Sequence, residues 1–588
     1  MKFRPLPVLL TVLCLAHTAG AQSTATWTNA AGGSWNTAAN WGGTLPTWSA
    51  DLTVDFSTLN ITANRDLQLT TSGKIVGRII FGDTTPSHQW DIVSGAGPLT
   101  LSTTSGQPEI DVVNWSSVIT VGLGGTQGFE KTGAGTLRLN NTSNPITGEI
   151  LASEGVLQIR DGTTNTPTAF ADGTMDQRSL RVTGSGILDL WRVNATGTQN
   201  VTWTLPSTTL EGGGIIRFRT NNAATYNHTM GAALIAGTNG GTILNNGGTG
   251  VQTITLNGTI SGSGPLSYTA RDGGSNTRRL SISAADNPYS GGWSVAHEGT
   301  GTALLRADAA NALGTGTVTV NVRATLENYA VSGLDSLAGV TLQESTSKLA
   351  LGANPWTNAS ATLTAANGTI ELGTGASTVG TFTLDSADTV TLDADAGGSL
   401  AAASFDIRQG TLDGTGALAG TGSLTKSTGG TATLAGTHTY TGATTVAAGT
   451  LVIGGSIAAS PVTVDYDAAI GGNGTIADSL HFNSGSRLDV SFGILSVGGA
   501  VSFDGFGFGN LVGFDVYTAD EGEYTLLNGS NFDFANISHF GAGDPLDLGN
   551  NRKAYFDSGS LKVVVIPEPG AAWLGGLGLL ALLRRRRH

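Results

Sequence analysis

Residues 131–139 read Lys-Thr-Gly-Ala-Gly-Thr-Leu-Arg-Leu, residues 144–148 read Asn-Pro-Ile-Thr-Gly, and residues 154–159 read Glu-Gly-Val-Leu-Gln-Ile. The same sentence returns downstream. Residues 426–434 are Lys-Ser-Thr-Gly-Gly-Thr-Ala-Thr-Leu, 439–442 are Thr-Tyr-Thr-Gly, and 448–453 are Ala-Gly-Thr-Leu-Val-Ile. In both copies the second Gly follows the first by seven residues, Gly148 to Gly155 and Gly442 to Gly449. A looser copy lies between them: Leu280-Ser281-Ile282, then Asn-Pro-Tyr-Ser-Gly at 287–291, then Glu298-Gly299-Thr300, its last spacing one residue longer. A recurring unit of about thirty residues marks a repeat architecture.

Within each unit Leu, Ile or Val alternates with small or polar residues at period two, the periodicity of a strand. Thr, branched at Cβ, favours the extended backbone, and Gly falls at the breaks, where the chain turns. One unit alone cannot bury its apolar row; stacked on a neighbour it can. The expected fold is all-β: a right-handed parallel β-helix or β-solenoid with N- and C-terminal caps, plus a short C-terminal hydrophobic helix. Coils of roughly 20–25 residues rising about 4.8 Å each suit a 588-residue chain, too long for one compact core. A sandwich, or a string of small β-domains, has the same periodicity.

Both ends read as addresses. Lys2 and Arg4 precede an apolar run, and Ala19-Gly20-Ala21 forms a small-residue cleavage site, so 1–21 is expected to be a secretory signal cut after Ala21. Cys14, the sole cysteine, lies inside it, so no disulfide, thiol or cysteine-metal chemistry is expected of the mature chain. At 566–588, Pro567-Glu568-Pro569 leads into an apolar run of thirteen residues closed by Arg584, Arg585, Arg586 and Arg587. That run is short for a permanent span, and the arginines should stay cytoplasmic. Without Lys2, Arg4, Glu568 and the four arginines, the 29 basic and 43 acidic residues become 23 and 42, a net charge of −19. A nucleic-acid partner is excluded on that balance.

Pro-Glu-Pro, apolar stretch and arginine cluster in that order resemble the PEP-CTERM sorting signal. The resemblance implies an exosortase-type membrane protease as partner, a transient hold at the inner membrane, and a Gram-negative host that makes exopolysaccharide. The repeats, with Gly-Thr-Leu-x-Leu, the Tyr-Thr-Gly turn and Ala-Gly-Thr-Leu, resemble the autotransporter-associated β-strand repeat family. That resemblance implies a β-helical passenger displayed outside the cell. Trp27-Thr28-Asn29, Ser34-Trp35-Asn36 and Asn40-Trp41 are similar to the opening of such proteins. The tail lacks the alternating strands of a membrane barrel, so self-secretion through one is not expected.

The organisation read from sequence is thus the signal at 1–21, a Trp-rich N-terminal β region at 22–127, the repeat solenoid at 128–456, a Phe-richer C-terminal β region at 457–565, and the sorting tail at 566–588. The tryptophans read better as a plug for the first coil than as a sugar platform. The histidines outside the addresses are His88, His228, His297, His438, His481 and His539; none pairs at metal-ligand spacing, and each is expected to be solvated in a turn. Asp393/Asp395, Asp465/Asp467 and Glu521/Glu523 share a strand face as i,i+2 pairs, which glycoside hydrolysis or Ca²⁺ binding could use. Without adjacent Asp-Asp or Gly-His-Gly they read as solvated acids. Gly471-Gly472-Asn473-Gly474 begins like a Ca²⁺ nonapeptide, but Ile476 stands at the Asp position. No catalytic, cofactor or metal residues are assigned. The function expected is an exported, non-enzymatic structural or adhesive protein of the surface or extracellular matrix, with exopolysaccharide or another surface glycan as the partner class. The alternative is a polysaccharide-binding or polysaccharide-degrading β-helix protein.

Overall fold

The computed structural model describes residues 23–567 apart from 94–96, 141–143, 162–177, 193–196, 221–224, 272–273, 275 and 396. Ala19, Ala21, Glu568, Pro569, Arg584 to Arg587 and the expected terminal helix lie outside the described residues; Pro567 ends the last strand, Leu561–Pro567. Among the described residues the regular structure is strand, apart from the 3₁₀ turns Ala38–Trp41 and Phe508–Asn510. No described helix is long and apolar enough to cross a membrane. The chain forms two compact units, one of residues 1–160 with 168–188, the other of 161–167 with 189–588.

Both are parallel β-solenoids. In the first unit one face stacks Thr24–Thr26, Thr53–Asp55, Arg78–Phe81, Glu109–Val112, Phe129–Thr132, Gly148–Ala152 and Arg178–Val182, every neighbouring pair parallel. A second face runs from Gly33–Ser34 through Arg65–Gln68, Trp90–Val93, Ser116–Ile119 and Thr136–Leu139 to Val156–Asp161. A short third face holds Ile75–Val76, Leu99–Leu101 and Leu123–Gly124. Trp27 and Trp35 flank the first strands of two faces and are fully buried, and Trp35 stacks on Trp48 at 5.4 Å. Their rings fill the interior of the first coil and offer no face to a sugar.

In the second unit the coils differ in length. Thr444 comes round to Val462 in a short circuit, whereas Leu266 reaches Trp293 only after a longer one. Strands and corners both shorten: Thr444–Val446 and Thr450–Ile453 have three and four residues, Leu266–Arg271 and Thr277–Ile282 six each. Inward side chains form continuous rows. Leu451 stacks on Ala432 and Ile470, and Ile470 on Leu488, each at most 1 % exposed. Removing such a side chain from water stabilises by about 1.5–3 kcal/mol, so these rows hold the stack together.

The register corrects one expectation. Phe129 stacks on Ile150 and Thr136 on Val156. Leu424 stacks on Thr444 and Thr431 on Thr450. Each repeat therefore spans two layers and carries its own stacking partner, rather than one layer awaiting the next repeat. Glycine columns set the close approach at the corners. A Cβ on Gly264 would overlap the Gly237 carbonyl, on Gly291 that of Gly264, and on Gly316 that of Gly291.

The parallel stack of the second unit ends in an antiparallel leaf. Gly522–Asn528 pairs with Leu561–Pro567, which pairs with Arg552–Asp557, itself paired with Leu546–Gly549. Reversing direction turns the last parallel edge into a short antiparallel meander.

Candidate functional site

The repeats carry buried polar groups that look incidental in the sequence. Counting back four residues from Gly148, Gly291 and Gly442 gives Asn144, Asn287 and His438, all nearly or fully buried. Each accepts a hydrogen bond from a backbone N–H of the preceding coil. Asn144 Oδ1 takes Leu123 N at 3.0 Å, Asn287 Oδ1 takes Ile260 N at 2.7 Å, and His438 Nδ1 takes Leu418 N at 3.3 Å. His438 is thus a neutral acceptor in an asparagine position, and burial pulls its pKa down to about 4. Lys131 and Lys426, which open the two closer copies, are also buried. Lys131 Nζ donates to the carbonyls of Thr132, Gly133 and Glu154, and Lys426 Nζ to those of Thr428 and Ala448. Burial lowers both ammonium pKa values, that of Lys131 to about 8. These lysines satisfy turn carbonyls that would otherwise be buried unbonded.

Three of the six histidines depart from the expectation of solvated turns. His228, His297 and His438 are buried. His228 stacks on Tyr226 and accepts Trp203 Nε1 at 3.0 Å, and burial, with Arg192 adding, drives its pKa to about 3. At His228 and His438 the inward strand position suits a neutral imidazole, which both fills space and accepts a hydrogen bond.

The acid pairs divide. Asp393 and Asp395 line a cavity of about 490 Å³ together with Glu371, one coil away in register with Asp393. Glu371 is ion-paired with Lys348. Asp465 and Asp467 point to different partners, Asn483 at 2.8 Å and Arg487. Glu523 pairs with Lys562 at 2.5 Å. Among the described residues no group of three or more His, Cys, Asp or Glu is placed to hold a metal ion.

Two arrangements escaped the sequence reading. His481 and Ser502 face outward on adjacent strands in register. Ser502 Oγ lies 2.8 Å from His481 Nδ1, and His481 Nε2 lies 3.3 Å from Asp504 Oδ2. The order serine, imidazole, carboxylate is that of an activated nucleophile, but the Asp504 side chain is 57 % exposed, where water screens it. The other is a cavity of about 440 Å³ near the antiparallel leaf, lined by Phe508, Tyr517, Asn510, Asn536, Ser538 and His539 among others. No Lys, Arg, Asp or Glu lines it.

Residues 129–159 and 424–453 match the passenger-associated-transport-repeat family. Those are the two-layer segments of the stack. No curated protein and no solved structure gives a significant match to the chain.

Proposed function

We propose that this chain is an exported passenger-type protein of the bacterial cell surface or extracellular matrix, with a structural or adhesive and non-enzymatic role. The observation that supports it is the coincidence of the two passenger-associated repeats with the two-layer segments from which a parallel solenoid is stacked. A solenoid of this kind adds surface layer by layer around one apolar interior, which suits a displayed scaffold. Delivery, in this reading, uses the Sec-type signal at 1–21 and the tail at 566–588, with an exosortase-type protease cutting after a transient hold at the inner membrane. Removing residues 567–588 in the native host, followed by fractionation and intact-mass measurement, tests this. The protein should shift from the surface fraction to the medium or inner membrane. Unchanged surface retention would refute the sorting half.

A second reading, a polysaccharide-degrading solenoid, is favoured by Glu371, Asp393 and Asp395 on one cavity. Two carboxylates flanking an open groove are the minimum for glycoside hydrolysis. Reducing-end release from exopolysaccharide by the purified chain, abolished in Asp393→Asn and Asp395→Asn, would favour this reading over the first.

A further inference from the structure

We infer that the cavity beside the C-terminal leaf is a binding site for a neutral saccharide. This deepens the adhesive reading above and rests on it for its biological setting, not for its chemistry.

The site is built on two aromatic rings held by separate devices. Phe508 lies on the Phe508–Asn510 turn and stacks on Phe556 at 4.4 Å, so its plane is fixed by the leaf. Tyr517 is 59 % exposed, yet its backbone is pinned. Its N–H donates to Asp515 Oδ1 at 3.0 Å, and Arg552 Nη1 donates to its carbonyl at 3.3 Å. A large ring open to solvent on a fixed turn is a stacking surface, and a tyrosine has only two side-chain torsions to order on binding.

The polar groups around it have unused capacity of both signs. Asn510 Nδ2 donates to Ser486 O at 2.6 Å and its Oδ1 accepts Gly507 N at 2.9 Å, leaving one N–H and one lone pair. Ser538 Oγ donates to Phe506 O at 3.2 Å and keeps its lone pairs. His539 Nδ1 lies 3.3 Å from the Asp544 carbonyl, which only accepts, so Nδ1 is the donor there. Asn536 adds an exposed carboxamide. Donors and acceptors interleaved beside a ring match a pyranose, whose hydroxyls both donate and accept and whose C–H face stacks on an aromatic.

Charge decides the class of saccharide. The lining holds no ionised Lys, Arg, Asp or Glu, and the chain as a whole carries a net charge of −14. An acidic polysaccharide would meet no cation in the lining, the nearest, Arg552, being engaged by the Tyr517 and Ala519 carbonyls, and the net-negative chain would repel it. A neutral one meets neither penalty. The volume of about 440 Å³ falls in the range of small-ligand sites, enough for one or two sugar rings.

The test uses the purified chain without its two addresses and saturation-transfer-difference NMR with maltohexaose, cellohexaose and mannohexaose, with oligogalacturonate as the acidic control. At least one neutral oligomer should show transfer and the acidic control none. Tyr517→Ala should weaken binding about tenfold, and Asn536→Ala severalfold, with far-UV spectrum and thermal midpoint unchanged. Transfer from no neutral oligomer, preference for the acidic one, or undiminished binding in Tyr517→Ala overturns the assignment. So does a change in oligomeric state on Tyr517→Ala, measured by light scattering, which would assign the cavity to a second copy of the chain. These readouts are independent of how the protein is delivered, so the sorting proposal and this one fail separately.

Discussion

Replacing His438 with asparagine should leave the solenoid as stable at pH 7.5 and make it more resistant to acid. His438 occupies the position held by Asn144 and Asn287 in the other copies and serves the same neighbour, a backbone N–H of the previous coil. Its imidazole is buried as the neutral form, with a pKa of about 4 against 6.5 for the free side chain. Between those values the unfolded chain binds a proton that the folded chain does not, so stability falls as pH falls through this window. At pH 5 the loss relative to pH 7.5 is about 2 kcal/mol from this residue alone. An asparagine Oδ1 keeps the acceptor and removes the titration. Alanine removes both, and the buried Leu418 N–H left without a partner costs about 1–3 kcal/mol at either pH.

The assay is urea unfolding by far-UV circular dichroism at pH 7.5 and 5.0, on parent, His438→Asn and His438→Ala. A layered solenoid can open in segments, so hydrogen exchange of the peptide containing Leu418 gives the local readout. Carboxylates and His228 titrate equally in all three proteins, so the difference between proteins isolates His438. The asparagine variant should hold its midpoint between the two pH values better than the parent does. If it loses as much as the parent, the neutral-acceptor account is wrong.

Gly449→Ala should destabilise by about 1–3 kcal/mol in the same assay, because Gly449 has φ +67° and faces the Gly430 carbonyl, whereas Gly454→Ala, with ordinary clearance, should be nearly silent. Leu451→Ala, in the middle of a buried row, should cost about 2–5 kcal/mol and raise exchange in the layers on both sides. Lys426→Met should destabilise by about 1–3 kcal/mol even though it removes a buried charge, since the Thr428 and Ala448 carbonyls lose their donor. A fluorophosphonate probe should leave the intact mass unchanged; labelling at Ser502 would mean the His481–Asp504 chain activates it and would overturn the non-enzymatic proposal.

The strands were legible because alternation is a local property. Leu137 with Leu139, and Leu157 with Ile159, each announce an inward face within a single strand, and all four are buried. What pairs with what was not legible, because register depends on corner length. The circuit from Thr444 to Val462 and the longer one from Leu266 to Trp293 show the same alternation. That is why Glu371 was not connected to Asp393, nor His481 to Ser502. A signal did exist: the interval from His481 to Ser502 equals that from Phe129 to Ile150, a stacked pair inside a repeat. The buried histidines were missed for a different reason. Composition scales treat His as polar, and although counting back from the glycines aligns His438 with Asn144 and Asn287, only the coil-to-coil hydrogen bond shows that it serves as the same acceptor. The lining of the saccharide cavity comes from turns between 505 and 546, where no periodicity survives to be read.

A repeat that holds two layers changes what repetition is for. If each unit had needed the next to cover its apolar row, isolated copies could not contribute, and matches would have to run in tandem. Here the two matched segments, 129–159 and 424–453, lie far apart along the chain, and neither depends on the other for cover. Leu137 already rests on Leu157, and Leu434 on Ile453, inside their own copies. The stretch between them is therefore free to vary its corners and to open cavities such as the one at Glu371, Asp393 and Asp395, so long as each coil still presents its inward row. Shuffling a matched segment to another corner-compatible position should accordingly preserve the circular dichroism spectrum, whereas inserting half of it, one layer without its partner, should expose an uncovered row and raise dye binding to apolar surface.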